Sequence, residues 1–383
     1  MDKPTVQDIF HRFYPAYLDQ YSPSPVQAKV AHNIMNCKTG AYGANVCVCE
    51  DCGFVQIHYN SCRNRCCPMC QAVPKEMWMD ARREDVLDAP YFHLVFTVPD
   101  ILNPVIYSNQ RLLYDALYHA ASSTISELTA DPKHLGAKVG YICILHTWGS
   151  EMNFHPHIHT ILLGGGLASN NQWKDNGENF FLPIRVISKV FRGKYLEELK
   201  RLWAEDKLVF HGTAEKFRNH YTFKELLDSC YGMDWIPHCK KTFNGAQTVI
   251  KYLGKYTHRI AVSNHRIVRM DDDTVTFLVK DYRNEGQWKE LTISGVEFVR
   301  RFLMHVPPRR FVRIRHYGLL CSRTKSQKLT LCRNLLGCKK YLSKLRDMEM
   351  PEILEHLYGI KVCVCKACGG HLGKPQMRMP LRC

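Results

Sequence analysis

No stretch of this 383-residue chain approaches the roughly 18 consecutive apolar residues of a membrane-crossing helix, which argues against a spanning protein. The opening "MDKPTVQDIFHRF" has no apolar h-region of a secretory signal. There is no internal repeat and no long low-complexity segment, which speaks against a repeat array or a disordered chain. Negative charge is in short supply. Asp and Glu number 36 against 52 Lys and Arg, a formal net charge of +16. That balance favours a polyanionic partner, nucleic acid before a membrane surface, and argues against a hydrolase of small substrates. What the chain does have is apolar material for a core, at 45% of residues, and length for two or three domains. It also has eighteen cysteines. They gather at 37–70 and 321–383, with C-x-x-C spacing and no export signal. Such clusters read as metal sites in a reducing cytosol rather than as disulfides.

The chain divides by pattern into three sections, with expected bounds 1–75, 76–305 and 306–383. Residues 76–90 read as a connecting helix. "YFHLVFTV" (91–98) reads as a buried strand, and 109–129 as a helix through Leu112, Ala116, Leu117, Ala120 and Leu128. "VGYICILHT" (139–147) and "PHIHTILL" (156–163) read as two strands of a hairpin, joined by the polar "WGSEMNFH". Helical patterns follow near 189–204, 222–230 and 245–258, the last with Asn244 as N-cap. Alternating runs then occupy 259–269, 274–280 and 287–293. Strands mixed with helices around a central hairpin predict an α+β domain with a mainly antiparallel sheet.

Within that hairpin, "FHPHIHT" sets His155, His157 and His159 on alternate residues. In a strand, alternate side chains share a face, so His157 and His159 form a ligand pair while Ile158 turns to the core. Before the hairpin, "CEDCG" and "CCPMC" supply Cys49, Cys52, Cys67 and Cys70. Two C-x-x-C knuckles predict a zinc ribbon, since thiolates on paired tight turns suit tetrahedral zinc. Cys37, Cys47, Cys62 and Cys66 interleave with them as a second, crossed zinc set, for which His58 is a substitute ligand. Otherwise Cys37 and Cys47 are small buried residues. "SCRNRCC" presents Arg63 and Arg65 between ligands, as phosphate contacts.

After the hairpin, "NGAQTVIKYLGKYTHR" carries Tyr252 and Tyr256 on one helical stripe. Ala246, Val249, Ile250 and Leu253 make a neighbouring apolar stripe, and Lys251, Lys255 and Arg259 lie beyond the tyrosines. Phenols at a basic boundary are candidate nucleophiles toward a phosphodiester. At the end of the chain, "CKACGG" offers Cys365 and Cys368 as a further zinc knuckle. Its partners would come from Cys321, Cys332, Cys338, Cys363 or Cys383. Arg309, Arg310, Arg313 and Arg315 alternate as a strip for DNA backbone.

In this order, "CEDCG", "YNSCRNRCCPMCQ", "FHLVFTVP", "LHTWGSEMNFHPHIH", "YLGKYTHRIAVSN" and "RFLMHVPPRRFVRIRHYGLL" resemble the two-tyrosine HUH transposases of rolling-circle insertion sequences, the insertion-sequence-91 family. The resemblance covers nearly the whole chain. It departs at Cys66 and Asn45, where the family usually has histidines, and Cys47 is the substitute for Asn45. The resemblance implies an HUH domain with a central antiparallel sheet and packed helices, preceded by a zinc-ribbon-like domain and followed by a basic, cysteine-containing region. It implies a bacterial cytoplasmic nuclease and strand transferase acting on single-stranded DNA, at element ends and targets. His157 and His159 would bind Mg2+ or Mn2+, and Tyr252 and Tyr256 would form 5′-phosphotyrosine links. One to three structural Zn2+ ions are expected. A third ligand to the catalytic metal is expected too. His146, roughly opposite His157 in the hairpin, ranks ahead of Glu151, His93 and His155. His258 would tune Tyr256. A replication initiator or relaxase shares this chemistry, and a non-catalytic zinc-containing DNA-binding protein is the alternative of another class.

Overall fold

The structure, a computed structural model, describes residues 3–176, 182–235, 237–243, 249, 254, 261–281 and 284–378. Its centre is a sheet in which every pairing is antiparallel. The strands are β3 (Tyr91–Thr97), β4 (Lys138–Trp148), β5 (Phe154–Leu167), β6 (Trp173–Asp175), β7 (His238–Phe243) and β11 (Ile314–Gly318). They lie in the order β11-β4-β5-β3-β7, with β6 paired to the far end of β5. The expected α+β class and antiparallel hairpin are therefore what the chain forms.

Strand alternation gives this sheet two different faces. Leu94, Phe96, Cys143, Leu145, Ile158 and Leu162 face the helices α5 (Gln110–Ala130) and α6 (Ile184–Ala204), in the largest core. Ile142, Ile144, Ile161 and Leu163 face the other way. They are covered by Met79 of α3 (Ala72–Arg83) and by Val249. A second core lies beyond the hairpin tip. It joins α1 (Val6–Gln20), α2 (Pro25–Met35) and α8 (Gly295–Met304) to a small sheet, β10-β9-β8 (Gln287–Ser294, Thr274–Asp281, Ile267–Met270). Both N-terminal helices start at reciprocal caps, Thr5 with Asp8 and Ser24 with Gln27, which satisfy amides the helix leaves open. Trp148 and Met152, at the tip of the β4–β5 hairpin, belong to this second core.

Strands from the three sections expected from the sequence pair with one another. β11, from the last section, is an edge strand of the central sheet. β12 (Gln376–Arg378) pairs with β1 (Ala44–Val48), which also pairs with β2 (Val55–Tyr59), so the last and first sections share one sheet. Local patterning carries no record of which strand closes which sheet edge, so these long-range pairings are not legible in the sequence. Among the described residues, no helix is long and apolar enough to cross a membrane.

β11 ends at Gly318, whose φ is +60°. A Cβ there would lie 1.8 Å from the carbonyl oxygen of Val139 on β4. We therefore expect Gly318→Ala to cost roughly 2–3 kcal/mol from left-handed strain and backbone overlap. Thermal unfolding measures this, and an unchanged midpoint would contradict the close approach of β11 to β4.

Candidate functional site

The β4–β5 register sets His146 opposite His157 and Ile144 opposite His159. Residues directly opposite share a face. His146, His157 and His159 thus stand together on the face away from α5 and α6, while Leu145 and Ile158 point into the helix-covered core. His93 joins the same face from β3, opposite Ile161.

Nitrogens of His146, His157 and His159 all lie within 4.8 Å of one another. The Nε2 atoms of His157 and His159 are 3.1 Å apart. Two imidazoles on one ion at about 2.1 Å bring their nitrogens to roughly 3 Å, so the spacing fits a shared metal. His157 Nδ1 donates to the His155 carbonyl at 2.7 Å, which leaves its Nε2 as the lone-pair nitrogen of the neutral ring. Burial, helped by neighbouring His155, pushes the His157 pKa down to about 4. Burial and then His146, His157 and His93 push His159 well below the ordinary imidazole value. Neutral imidazoles are the ligating form, so the donor set suits a divalent cation. His93 Nε2 stands 2.9 Å from His159 Nδ1 and orients that ring.

Two residues absent from the sequence reading brace this group. Trp148 stacks on His146 with ring centroids 4.4 Å apart and planes 18° apart. Its place two residues along the same strand was the available signal. His305, at the end of α8, is buried beneath the hairpin tip. Its Nε2 donates to the Met152 carbonyl at 2.9 Å, and its Nδ1 accepts from the Thr147 hydroxyl at 3.1 Å. No sequence signal pointed to this long-range pairing. Of the lesser candidates, His155 instead meets Asp100 at 3.2 Å, and Glu151 lies in the hairpin turn, its carbonyl accepting from Arg301.

Tyr252, Tyr256, Lys251, Lys255, Arg259, His258 and Asn244 lie outside the described residues. Val249 and Gly254 of that segment are described, and both are helical and buried. Val249 packs in the apolar cluster of Ile144, Ile161 and Met79, on the histidine face of the sheet. A Cβ on Gly254 would fall 1.9 Å from Met79 Sδ, so a glycine permits the close approach to α3.

The cysteines group differently from the expectation. Cys67 and Cys70 come together with Cys37 and Cys62, while Cys49 and Cys52 come together with Cys365 and Cys368. The two neighbouring C-x-x-C knuckles thus part company, because β12 brings the end of the chain beside β1. Cys47 packs under the second group as an apolar residue. Cys66 is buried beside Arg313 and Arg65. Burial raises its thiol pKa, and the two cations oppose that rise. Gln56 occupies His58 at 2.7 Å. Cys321, Cys332, Cys338 and Cys363 join no such group among the described residues, and Cys383 lies outside them. In the first group, the Cys62 and Cys67 thiols hydrogen-bond to the Cys70 sulfur and hold its pKa down. Cys67, hydrogen-bonded to both and buried, is driven far up. Crowded sulfurs that cannot all ionise alone are a donor set suited to a soft divalent cation.

The arginines do not form one strip. Arg63, Arg309 and Arg310 are exposed. Arg65 is also exposed, yet it donates to the Phe311 carbonyl at 2.6 Å. Arg313 lies over the Trp148 ring at 5.7 Å. Arg315 binds Asp115 and lies 4.0 Å over Tyr118. The strand period was expected across 309–315, but β11 starts only at Ile314, so the alternation does not extend through the run.

A family profile described as "Putative transposase" matches residues 140–328, and one described as "Transposase zinc-binding domain" matches residues 9–98. The chain is 40% identical over 369 residues to a "Putative transposase y4qJ" of Sinorhizobium fredii (strain NBRC 101917 / NGR234), covering 95% of this chain and 93% of that one. It is 30% identical over 309 residues to the "Transposase for insertion sequence element IS801" of Pseudomonas savastanoi pv. phaseolicola, covering 79% and 72%. A metal-bound conjugative relaxase TrwC in complex with oriT DNA is 14% identical, covering 43% of this chain and 69% of that one. The TM-score of that match is 0.25.

Burial pushes the His305 pKa from 6.5 down to about 4. A group whose folded value is depressed in this way stabilises the fold above its unfolded value of 6.5. That stability drains as pH falls from 6.5 toward 4, because only the unfolded chain takes up the proton. We expect His305 to account for about 2 kcal/mol of lost stability at pH 5 relative to pH 7. Urea unfolding of His305→Gln should show a shallower pH slope than the unmodified protein, and equal slopes would refute the assignment.

Proposed function

Because the chain belongs to the transposases of the insertion-sequence-91 family and carries their zinc-binding domain, we propose that it cuts and rejoins single-stranded DNA through a 5′-phosphotyrosine intermediate, using Tyr252 and Tyr256 as nucleophiles and His146, His157 and His159 to hold a divalent metal. The observation that carries this reading is the three-histidine group on the sheet face that also buries Val249, three residues before Tyr252 in sequence. Val249 and the three histidines share one side of that sheet, and the reading takes the tyrosines that follow Val249 in sequence to act there.

A Mg2+ or Mn2+ ion held by the imidazoles would polarise the scissile phosphate as a Lewis acid. The side chains do the remainder. A tyrosine phenol loses its proton and its oxygen bonds to phosphorus. The bond from phosphorus to the 3′-oxygen breaks, and that oxygen takes up a proton as a free hydroxyl. The new phosphodiester keeps the bond energy, so a later 3′-hydroxyl reverses the step and rejoins DNA without ATP. A second tyrosine allows a second strand to be held while the first is still linked. His93, Trp148 and His305 keep the imidazoles in place. Arg63, Arg309 and Arg310 are exposed cations that would meet backbone phosphates. Cys37, Cys62, Cys67 and Cys70 are the proposed structural zinc ligands of the N-terminal region.

Incubation with Mn2+ and a labelled single-stranded oligonucleotide from an end of the element should give a protein–DNA adduct that survives denaturing electrophoresis. His157→Ala and the double variant Tyr252→Phe/Tyr256→Phe should each leave less than about a hundredth of it. Adduct persisting in the double variant would show a different nucleophile. Tight DNA binding with no adduct from any end sequence would favour a binding protein without catalysis.

A further inference from the structure

The turns Cys49–Gly53 and Cys365–Gly369 come from opposite parts of the chain and are built alike. In each, the glycine amide returns to the carbonyl of the first cysteine at 3.0 Å, with φ of +71° at Gly53 and +78° at Gly369. Both read C-x-x-C-G, "CEDCG" and "CKACG". The amides of Ala367 and Gly370 point at the sulfurs of Cys365 and Cys368, each at 3.4 Å, an arrangement that favours thiolate. Cys49 Sγ lies 3.6 Å from Cys368 Sγ, and Cys52 Sγ lies 3.8 Å from Cys365 Sγ. A regular tetrahedron with metal–sulfur bonds of about 2.3 Å has sulfur–sulfur edges of about 3.8 Å. The four sulfurs therefore stand where tetrahedral ligands would stand.

The frame around them is strand pairing between the chain's two ends. Ala44 pairs with Arg378 and Val46 with Gln376. Cys49 bridges to Leu372, and the Glu50 amide donates to the His371 carbonyl at 3.1 Å. Among the described residues, little else holds this sheet. Its buried apolar cluster is Cys47, Cys49, Cys365 and Leu372, while Val48, Val55, Ile57 and Tyr59 are exposed. An element with so small a core needs a staple.

We infer that Cys49, Cys52, Cys365 and Cys368 hold one structural Zn2+, separate from the Cys37–Cys62–Cys67–Cys70 group, and that this ion clasps the end of the chain onto the β1–β2 hairpin. The matched domain profile ends at residue 98, so half of this site lies outside it. Four thiolates and no imidazole or oxygen donor suit zinc, and the closed set leaves no position for a substrate, so the role is structural. The clasp does not depend on the cleavage chemistry proposed above. A protein inactive on DNA would still carry it.

Full-length protein purified without added chelator would be analysed for zinc and iron by mass spectrometry of the elements. Two zinc ions per chain are expected. The paired variants Cys49→Ser/Cys52→Ser and Cys365→Ser/Cys368→Ser should each retain one, and combining all four substitutions should still leave one. Full zinc content in either pair would overturn the inference, as would additive losses on combination or iron in place of zinc. A readout free of variants uses stepwise chelation of the unmodified chain followed by trypsin. Cleavage at the exposed Lys361 and Lys366 should rise about tenfold or more once this ion leaves. Unchanged protection after both ions are removed would overturn the clasp.

Discussion

The pairing of His146 with His157 across β4 and β5 is the constraint on which the rest of the site depends. A strand slipped by one residue turns every side chain to the opposite face. Such a slip would bury imidazoles against α5 and α6 and expose Leu145 and Ile158. The register is held from both ends. At one end Cys143, Leu145, Ile158 and Leu162 interlock with the helix-covered core. At the other, Trp148 and Met152 are seated in the second core. The hairpin thus links the two largest cores of the molecule, and the histidines lie between its anchors.

The zinc-binding region is coupled to the same place through packing. Cys37, Cys66 and Cys67 belong to the second core together with Trp148. Arg65 reaches the Phe311 carbonyl, and Arg313 lies between Cys66 and the Trp148 ring. Tyr118 ties the segment down from below. Its hydroxyl donates to the Arg313 carbonyl and accepts from the Leu145 amide at 2.9 Å. Trp148 in turn stacks on His146. A half-buried cation set over an aromatic face is well placed to hold that face rigid. Packing thus connects the N-terminal region to the ring that stacks on His146.

Much of the site was legible because its signals are local. Alternation on β5 places His157 and His159 on one face whatever packs above them, and the short polar link before them implies a hairpin that brings His146 opposite. The strands at 91–97 and 138–148 and the helix at 110–130 follow from periodicity set by backbone geometry. The arginine run shows the limit of such reading. Positions 309–315 look equivalent in sequence, yet Arg315 is engaged by Asp115 and Arg313 by Trp148, while Arg309 and Arg310 remain exposed.

Local sequence carries the side-chain chemistry: alternate imidazoles on a strand, thiols on C-x-x-C-G turns, an excess of cations, and a resemblance to the insertion-sequence-91 transposases. Which thiols meet is set by long-range packing. A knuckle offers two sulfurs with the same local geometry to any partner, so its mate is chosen by strand pairing hundreds of residues away. The pairing of β1 with β12 sends Cys49 and Cys52 to the end of the chain and leaves Cys67 and Cys70 to Cys37 and Cys62. The long-range contacts of His305 and Arg313 were decided in the same way, because no local pattern encodes a partner supplied by another core.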